Sequence, residues 1–140
     1  MKSGIEMVAD VARLLKVPKV TGIISGSLWQ HQRPANSERE DIVVNSLALT
    51  GQQLQQGVVN VNIHVPNLKV NLDGAADNTM PDLARMHAIE QVLYPLINDN
   101  DQKSFWIWVD EPGQPYQEGA NWYLNIRINY YSYQENYQNV

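Results

Sequence analysis

The chain has 140 residues, 44% of them hydrophobic, which fits one globular domain with a single core. It contains no cysteine, which excludes a disulfide framework, a thiol nucleophile and cysteine-ligated metal sites. The formal net charge of −5 argues against a protein that mainly binds phosphate backbones, because that affinity comes from Lys and Arg. We expect one domain over residues 1–140, with a frayed polar tail at 134–140.

The N-terminal segment predicts a helix and lacks the pattern of a signal peptide. Ser3 and Glu6 form a capping box that opens a helix of about twelve residues. Charged residues interrupt the segment, and no run approaches the roughly 18 apolar residues of a membrane span. We therefore expect a soluble protein without a membrane partner. The predicted apolar stripe consists of Ile5, Val8, Ala12 and Leu15, and the residues predicted to face away are Glu6, Asp10 and Arg13.

Two strands and a polar loop are predicted after this helix, which Pro18 should end. The first strand falls within residues 20–32, where a glycine could bend it. Residues 33–41 are polar and predict a loop, and the apolar run 42–49 predicts the second strand.

The segment 57–65 shows the clearest alternation in the chain, after a predicted turn at 50–57. Alternate side chains of a strand point to opposite faces of its sheet. Those predicted to face the core are Val59, Val61, Ile63 and Val65. Those predicted to face solvent or a partner are Val58, Asn60, Asn62 and His64.

The second half of the chain begins with a long loop at 67–78. Thr79 then predicts the start of a second helix, with Pro81 in its first turn and Pro95 near its end. The predicted apolar stripe of this helix is Leu83, Met86, Ile89, Leu93 and Leu96.

Strands at 105–109 and 122–133 complete the chain, joined by the turn-rich sequence 111–119. Each helix has one apolar stripe to bury, so both should pack on the same side of a sheet. The predicted fold class is therefore α+β, with a mainly antiparallel sheet of about five strands and two helices packed on one face.

The motifs of the common enzyme and metal sites are missing from the sequence. The histidines His31, His64 and His87 have no ligand spacing, and H-E-x-x-H, Walker A and dinucleotide patterns are absent. The acidic residues around Asn100 fail the EF-hand pattern. We expect no catalytic residue, no metal site, no cofactor and no enzymatic activity.

Aromatic residues are concentrated on two of the predicted strands. Trp106 and Trp108 share one face of their strand, and so do Tyr123, Tyr131 and Tyr133. They could belong to the core, to a partner interface or to a platform for nucleic-acid bases. Stacking platforms normally lie in a positively charged groove, and Arg127 alone does not make one.

Five segments, taken in this order, resemble the small tail-completion (tail-terminator, head–tail joining) proteins of long-tailed bacteriophages and prophages. The resemblance covers nearly the whole chain and is one of pattern, from the N-terminal helix to the final strand. This chain departs from the family in its longer loop at 67–78 and in its polar tail. The segments are SLWQHQRPANSERED, IVVNSLAL, GVVNVNIHVPN, LARMHAIEQVLYPLI and WYLNIRINYYSY.

The resemblance implies a structural function in virion assembly. Such proteins form a ring, commonly of six subunits, at the head-proximal end of the tail tube. The ring ends tube growth and joins the tail to the head connector. The implied partners are other copies of the chain, the tail-tube protein and the connector, with no sequence-specific nucleic acid. The implied location is the virion tail, assembled in the host cytoplasm.

The predicted contacts for assembly are the two polar loops, one sheet edge and the aromatic strands. Alternation within residues 68–72 would let that segment add as a strand to the edge of a neighbouring subunit. The alternative function is a small ligand-binding or enzymatic domain, which a deep apolar pocket would favour. The predicted interface residues are Arg33, Glu38, Arg39, Leu68, Val70, Leu72, Trp106, Trp108, Tyr131 and Tyr133.

Overall fold

A computed structural model of the protein describes residues 2–51 and 54–133. The tail predicted at 134–140 lies outside the described residues. In chain order, the helices are α1 (Gly4–Leu15), α2 (Pro18–Thr21) and α3 (Leu83–Ile97). The strands are β1 (Leu28–Gln30), β2 (Asp41–Leu49), β3 (Leu54–His64), β4 (Val70–Leu72), β5 (Ala75–Asp77), β6 (Asn100–Asp101), β7 (Phe105–Glu118) and β8 (Asn121–Tyr133).

The described residues form a six-stranded curled sheet in the order β1-β2-β3-β8-β7-β6, and a separate hairpin of β4 and β5. All neighbours in the large sheet run antiparallel except β1, which is parallel to β2. The predicted α+β class with a mainly antiparallel sheet is confirmed. The numbers of strands and helices differ from the prediction of about five strands and two helices. The described residues form six strands in this sheet and three helices, of which α2 has only four residues.

One face of the sheet forms the core together with α1 and α3. Val59, Val61 and Ile63 of β3 are fully buried there, and Val65 is 4% exposed. The facing predicted for β3 is therefore confirmed. The adjacent strand β8 adds the side chains that alternate along it toward the same face, Leu124, Ile126, Ile128 and Tyr130.

The predicted capping box of α1 is present, but two residues of this helix were placed on the wrong side. Ile5 lies in the first turn and is 69% exposed, because no described element covers it. Asp10 is only 8% exposed. Its carboxylate accepts hydrogen bonds from the Tyr130 hydroxyl at 2.6 Å and from Lys2 Nζ at 2.6 Å. These partners compensate the burial of a charge, so the helix can bury an acidic residue.

The strand predicted within 20–32 is much shorter than expected. Pro18 occupies the first turn of α2, where its missing N–H costs nothing, so the chain is helical over Pro18–Thr21. Only Leu28–Gln30 pairs with β2, and His31 then turns the chain with a positive φ of 69°.

The long loop at 67–78 contains a hairpin, which corrects the prediction for this segment. β4 pairs with β5, and Gly74 at the tip has a positive φ of 81°. Thr79 does not start a helix, because its N–H and its hydroxyl both bond the Asp77 carboxylate. The helix α3 instead has Asp82 as its N-cap, which accepts from the Arg85 N–H at 3.1 Å.

Two strands extend further than predicted. β3 already begins at Leu54, inside the predicted turn, and β7 continues through the predicted connection to Glu118. Among the described residues, β6 pairs only with residues 106 and 107 of β7. The prolines of β7 come after these residues, where the strand has no partner on that side, and a strand edge tolerates proline. The register of β7 against β8 shifts twice, between Val109 and Gln114.

Side chains take the place of a neighbouring strand along the outer edge of β7. The Val109 N–H donates to Asn98 Oδ1 at 3.1 Å, and the Gly113 N–H donates to the Tyr94 hydroxyl at 2.9 Å. A Cβ at Gly113 would overlap the Glu90 carboxylate, so this close approach requires glycine. These bonds occupy the outer edge of β7 at Val109 and Gly113.

Candidate interaction surface

The second face of the sheet, here called the outer face, has no described helix packed on it. Its centre is a row of amide side chains from three adjacent strands, Asn45, Asn60, Asn62 and Asn125, which we call the amide belt. Asn60 Nδ2 donates to Asn45 Oδ1 at 3.0 Å, and Asn125 Nδ2 donates to Asn62 Oδ1 at 2.7 Å. Asn60 lies on the predicted face but is only 8% exposed, so it has little contact with solvent. Together with the bond from Asn125 Nδ2 to Asn60 Oδ1 at 3.2 Å, these hydrogen bonds link the four amides without any charge.

Arg127 is the cation beside the amide belt. Its Cα is paired with that of Asn60 on one side and with that of Glu111 on the other. The guanidinium lies 3.7 Å from a Glu111 carboxylate oxygen, and its buried Nε has no hydrogen-bond partner among the described residues. The pair with Glu111 leaves the centre of the outer face close to neutral.

Three aromatic rings, here called the aromatic stack, lie at one end of the outer face. Trp106, Trp108 and Tyr131 have ring centroids separated by 4.5, 5.0 and 6.2 Å. The prediction that the two tryptophans share a strand face is confirmed. Trp106 Nε1 also donates to Asp99 Oδ1 at 3.1 Å.

A second aromatic group lies at the opposite end of the outer face. The ring of Tyr123 is 5.3 Å from that of His64 and 6.0 Å from that of Tyr116. Burial, reinforced by the positive charge of Arg33, lowers the pKa of His64 to about 4. His64 is therefore neutral at pH 7. It borders an open groove of about 410 Å³ that is lined mainly by polar side chains.

The loop over residues 31–40 is fixed to the sheet by Asp41, which is 2% exposed. Its carboxylate accepts from the Ser27 N–H at 2.9 Å, Trp29 Nε1 at 2.9 Å and Arg33 Nη1 at 3.3 Å, and also from the Ser37 hydroxyl. Burial by itself would raise the pKa of Asp41, but these hydrogen bonds outweigh it and the pKa is lowered.

Glu40 ties the same loop to α3. Its carboxylate accepts from Arg85 Nε at 2.6 Å and Nη2 at 3.0 Å, and these bonds lower its pKa. Sequence reasoning assigned no role to Glu40 or Asp41. The available signal was a pair of adjacent acidic residues directly before an apolar strand.

The β4–β5 hairpin and the residues that flank it form a segment attached at its base by hydrogen bonds, here called the arm (residues 67–80). At its base, the Leu68 N–H donates to the Met80 carbonyl at 2.9 Å, and Asn67 Nδ2 donates to the Ala120 carbonyl at 2.6 Å. Trp122 Nε1 adds a bond to the Thr79 carbonyl at 3.0 Å. The arm therefore leaves the sheet at the end where β3 stops and β8 starts.

The ten residues predicted for an interface fall into two regions. Loop residues Arg33, Glu38 and Arg39 and arm residues Leu68, Val70 and Leu72 lie at the end of the sheet from which the arm leaves. Trp106, Trp108, Tyr131 and Tyr133 lie at the other end. Val70 and Leu72 already pair with β5, so only one edge of β4 is open to the strand addition predicted for it.

Within the described residues, no three His, Asp or Glu side chains come together as a set of metal ligands. None of the helices there has the length and apolar character needed to cross a bilayer. The remaining feature is a broad, weakly charged surface with stacked aromatic residues and a projecting arm. The sequence matches no model of a known protein family, and a comparison with curated proteins likewise gave no match.

Proposed function

We propose that the protein is a structural tail-completion subunit of a bacteriophage or prophage. In this proposal it forms a ring, of six subunits by the resemblance, at the head-proximal end of the tail tube, ends tube growth and joins the tail to the head connector. The observation that carries the proposal is the architecture of the sheet. The helices α1 and α3 pack on one face of the sheet, whereas the outer face carries amide side chains and stacked aromatic rings.

The chemistry of the outer face suits contact with other proteins. Protein interfaces avoid unpaired charges in their centre and are enriched in Tyr, Trp and Arg. The amides of the belt are linked to one another by hydrogen bonds, and Arg127 is the one basic residue we place beside the belt. Arg127 alone does not make the positively charged groove in which bases usually stack, which argues against nucleic acid as the partner of the outer face. A net charge of −5 is also compatible with a channel that DNA must pass without binding.

The alternative proposal, a small ligand-binding or enzymatic domain, has one observation in its favour. His64 has a lowered pKa and borders the groove of about 410 Å³. Binding sites for small molecules are usually deep and mainly apolar, and this groove is open and polar. The tail-completion function therefore remains our proposal.

Replacing residues 70–77 of the arm by a short Gly-Ser linker tests the proposed assembly role. The bonds at the base of the arm, between Leu68 and Met80 and from Asn67 to Ala120, would remain. We expect the variant to melt within a few degrees of the wild type and to lose ring formation and tail completion. Circular dichroism measures the first property, and electron microscopy of assembled tails measures the second.

A matched control for this experiment is Asn71→Ser, which changes an exposed side chain of the arm and leaves the hairpin in place. It should behave as the wild type in both measurements. A linker variant that still completed tails would show that the arm is not a contact. One that unfolded would show that the arm belongs to the core.

A further inference from the structure

Four exposed acidic residues lie next to the aromatic stack, and we call them the acidic rim. The Cα of Asp101 in β6 is paired with that of Trp106, so both side chains lie on the outer face. The Asp99 carboxylate lies beside the same ring, because it accepts the hydrogen bond from Trp106 Nε1 at 3.1 Å. The other two members lie at the β-bulge that follows Trp108 in β7, and they are Asp110 and Glu111.

Most of the acidic rim is not neutralised within the chain. Glu111 has the 3.7 Å contact with Arg127, and exposed Lys103 follows the rim residues of β6. The rim therefore has four carboxylates against two cations. Among the described residues, the members that form no ion pair are Asp99, Asp101 and Asp110.

The aromatic stack and the acidic rim together indicate the class of ligand. Within the part of the chain that the structure describes, no three acidic or histidine side chains converge as metal ligands. Negative charge disfavours the phosphates of a nucleic acid, and a neutral ligand would leave the carboxylates of the rim unpaired. A guanidinium fits both features, because this planar cation packs on Trp and Tyr rings and binds carboxylates. The site lies on an open sheet face, so a protein side chain can deliver this group.

A second copy of this chain is a poor source of that guanidinium. The chain has five arginines, and Arg127 lies on the outer face itself, in contact with Glu111. Three others already bind carboxylates within their own chain, and these are Arg13, Arg33 and Arg85. Only Arg39 remains, so a different protein is the better source.

We propose that the aromatic stack and the acidic rim form a docking site for an arginine-bearing segment of a different protein. The proposal rests on the assembly function given above to the outer face, and it names the chemistry of the partner. In this contact the guanidinium packs against the rings of the stack and pairs with Asp99 and Asp101.

Titration with an arginine peptide tests the site through its tryptophans. The probe is a capped hexapeptide of alternating glycine and arginine, and two-dimensional proton–nitrogen NMR follows the indole N–H groups. We expect the signals of Trp106 and Trp108 to move with a millimolar Kd, while those of Trp29 and Trp122 stay in place. The same peptide with neutral citrulline in place of arginine should leave all four signals unchanged.

The double variant Asp99→Asn with Asp101→Asn should weaken binding of the arginine peptide by about tenfold, because two exposed ion pairs are lost. Folding should be retained, since asparagine tolerates the positive φ of 50° at position 99 and can still accept the bond from Trp106. The matched control is Glu38→Gln with Glu118→Gln, which removes the same charge at exposed positions away from the stack. Its affinity for the peptide should equal that of the wild type.

Several results would overturn the docking site. They are an arginine peptide that does not bind, equal weakening by the two double variants, and equal movement of all four indole signals. Signals of Trp106 and Trp108 that move with protein concentration in the absence of peptide would also overturn it, because a second copy would then occupy the stack. These results would leave the tail-completion function standing. Normal tails in a host that lacks the protein would contradict that function, and the peptide result would be unaffected.

Discussion

Replacing Val61 by aspartate is expected to abolish soluble expression. The Val61 side chain is fully buried in the core, and its Cα is paired with those of Val44 and Ile126 in the neighbouring strands. Among the described residues, none of the buried side chains is a lysine or arginine that could pair with a new carboxylate. An unpaired charge in such a position costs several kcal/mol, against a total stability of roughly 5–15 kcal/mol. The soluble fraction after expression measures the effect.

The neighbouring substitution Asn62→Asp is the control, because it introduces the same charge on the outer face. Asn62 Oδ1 accepts a hydrogen bond from Asn125 Nδ2, and a carboxylate oxygen can accept the same bond. We expect a loss of less than about 1 kcal/mol in unfolding free energy. Equal behaviour of the two variants would mean that β3 presents the opposite face to the helices.

The substitution Asp41→Ala is expected to destabilise the protein by about 3–5 kcal/mol, because it removes the buried partner of several donors. Arg33, Trp29 and the Ser27 N–H would lose their common acceptor, and the loop over residues 31–40 would lose its attachment. Urea denaturation monitored by circular dichroism measures the change. Glu38→Ala, at an exposed position of the same loop, should change the unfolding free energy by less than about 0.5 kcal/mol.

The pH dependence provides an independent check on Asp41. Because the pKa of Asp41 is lowered in the folded state, its ionised form contributes stability at neutral pH. That contribution is lost as the pH falls through the folded-state pKa. The variant should lack this part of the acid sensitivity. If Asp41→Ala were as stable as Glu38→Ala, the carboxylate would not be the anchor of the loop.

The parts of the fold that were predicted from sequence are those governed by local periodicity and capping. The alternation at 57–65 gave the facing of β3, and the pair of Ser3 and Glu6 gave the start of α1. The errors arose where a distant partner overrides the local preference. Asp10 is buried because Tyr130, distant in sequence, donates to it, and β7 accommodates its prolines because it lies near a sheet edge with bulges.

The candidate surface could be predicted only in part. Alternation placed Trp106 and Trp108 on one strand face, and this required no knowledge of the neighbouring strand. The amide belt depends on the register between β2, β3 and β8, which the pattern of a single strand does not determine.

Electron microscopy of tails assembled in the host, with and without this protein, tests the proposed tail-completion function. When the protein is present, tails should have uniform length, carry a ring at the head-proximal end and join to heads. Without it, tubes should overgrow and remain separate from the heads. Tails of normal length that join to heads in the absence of the protein would contradict the proposed function.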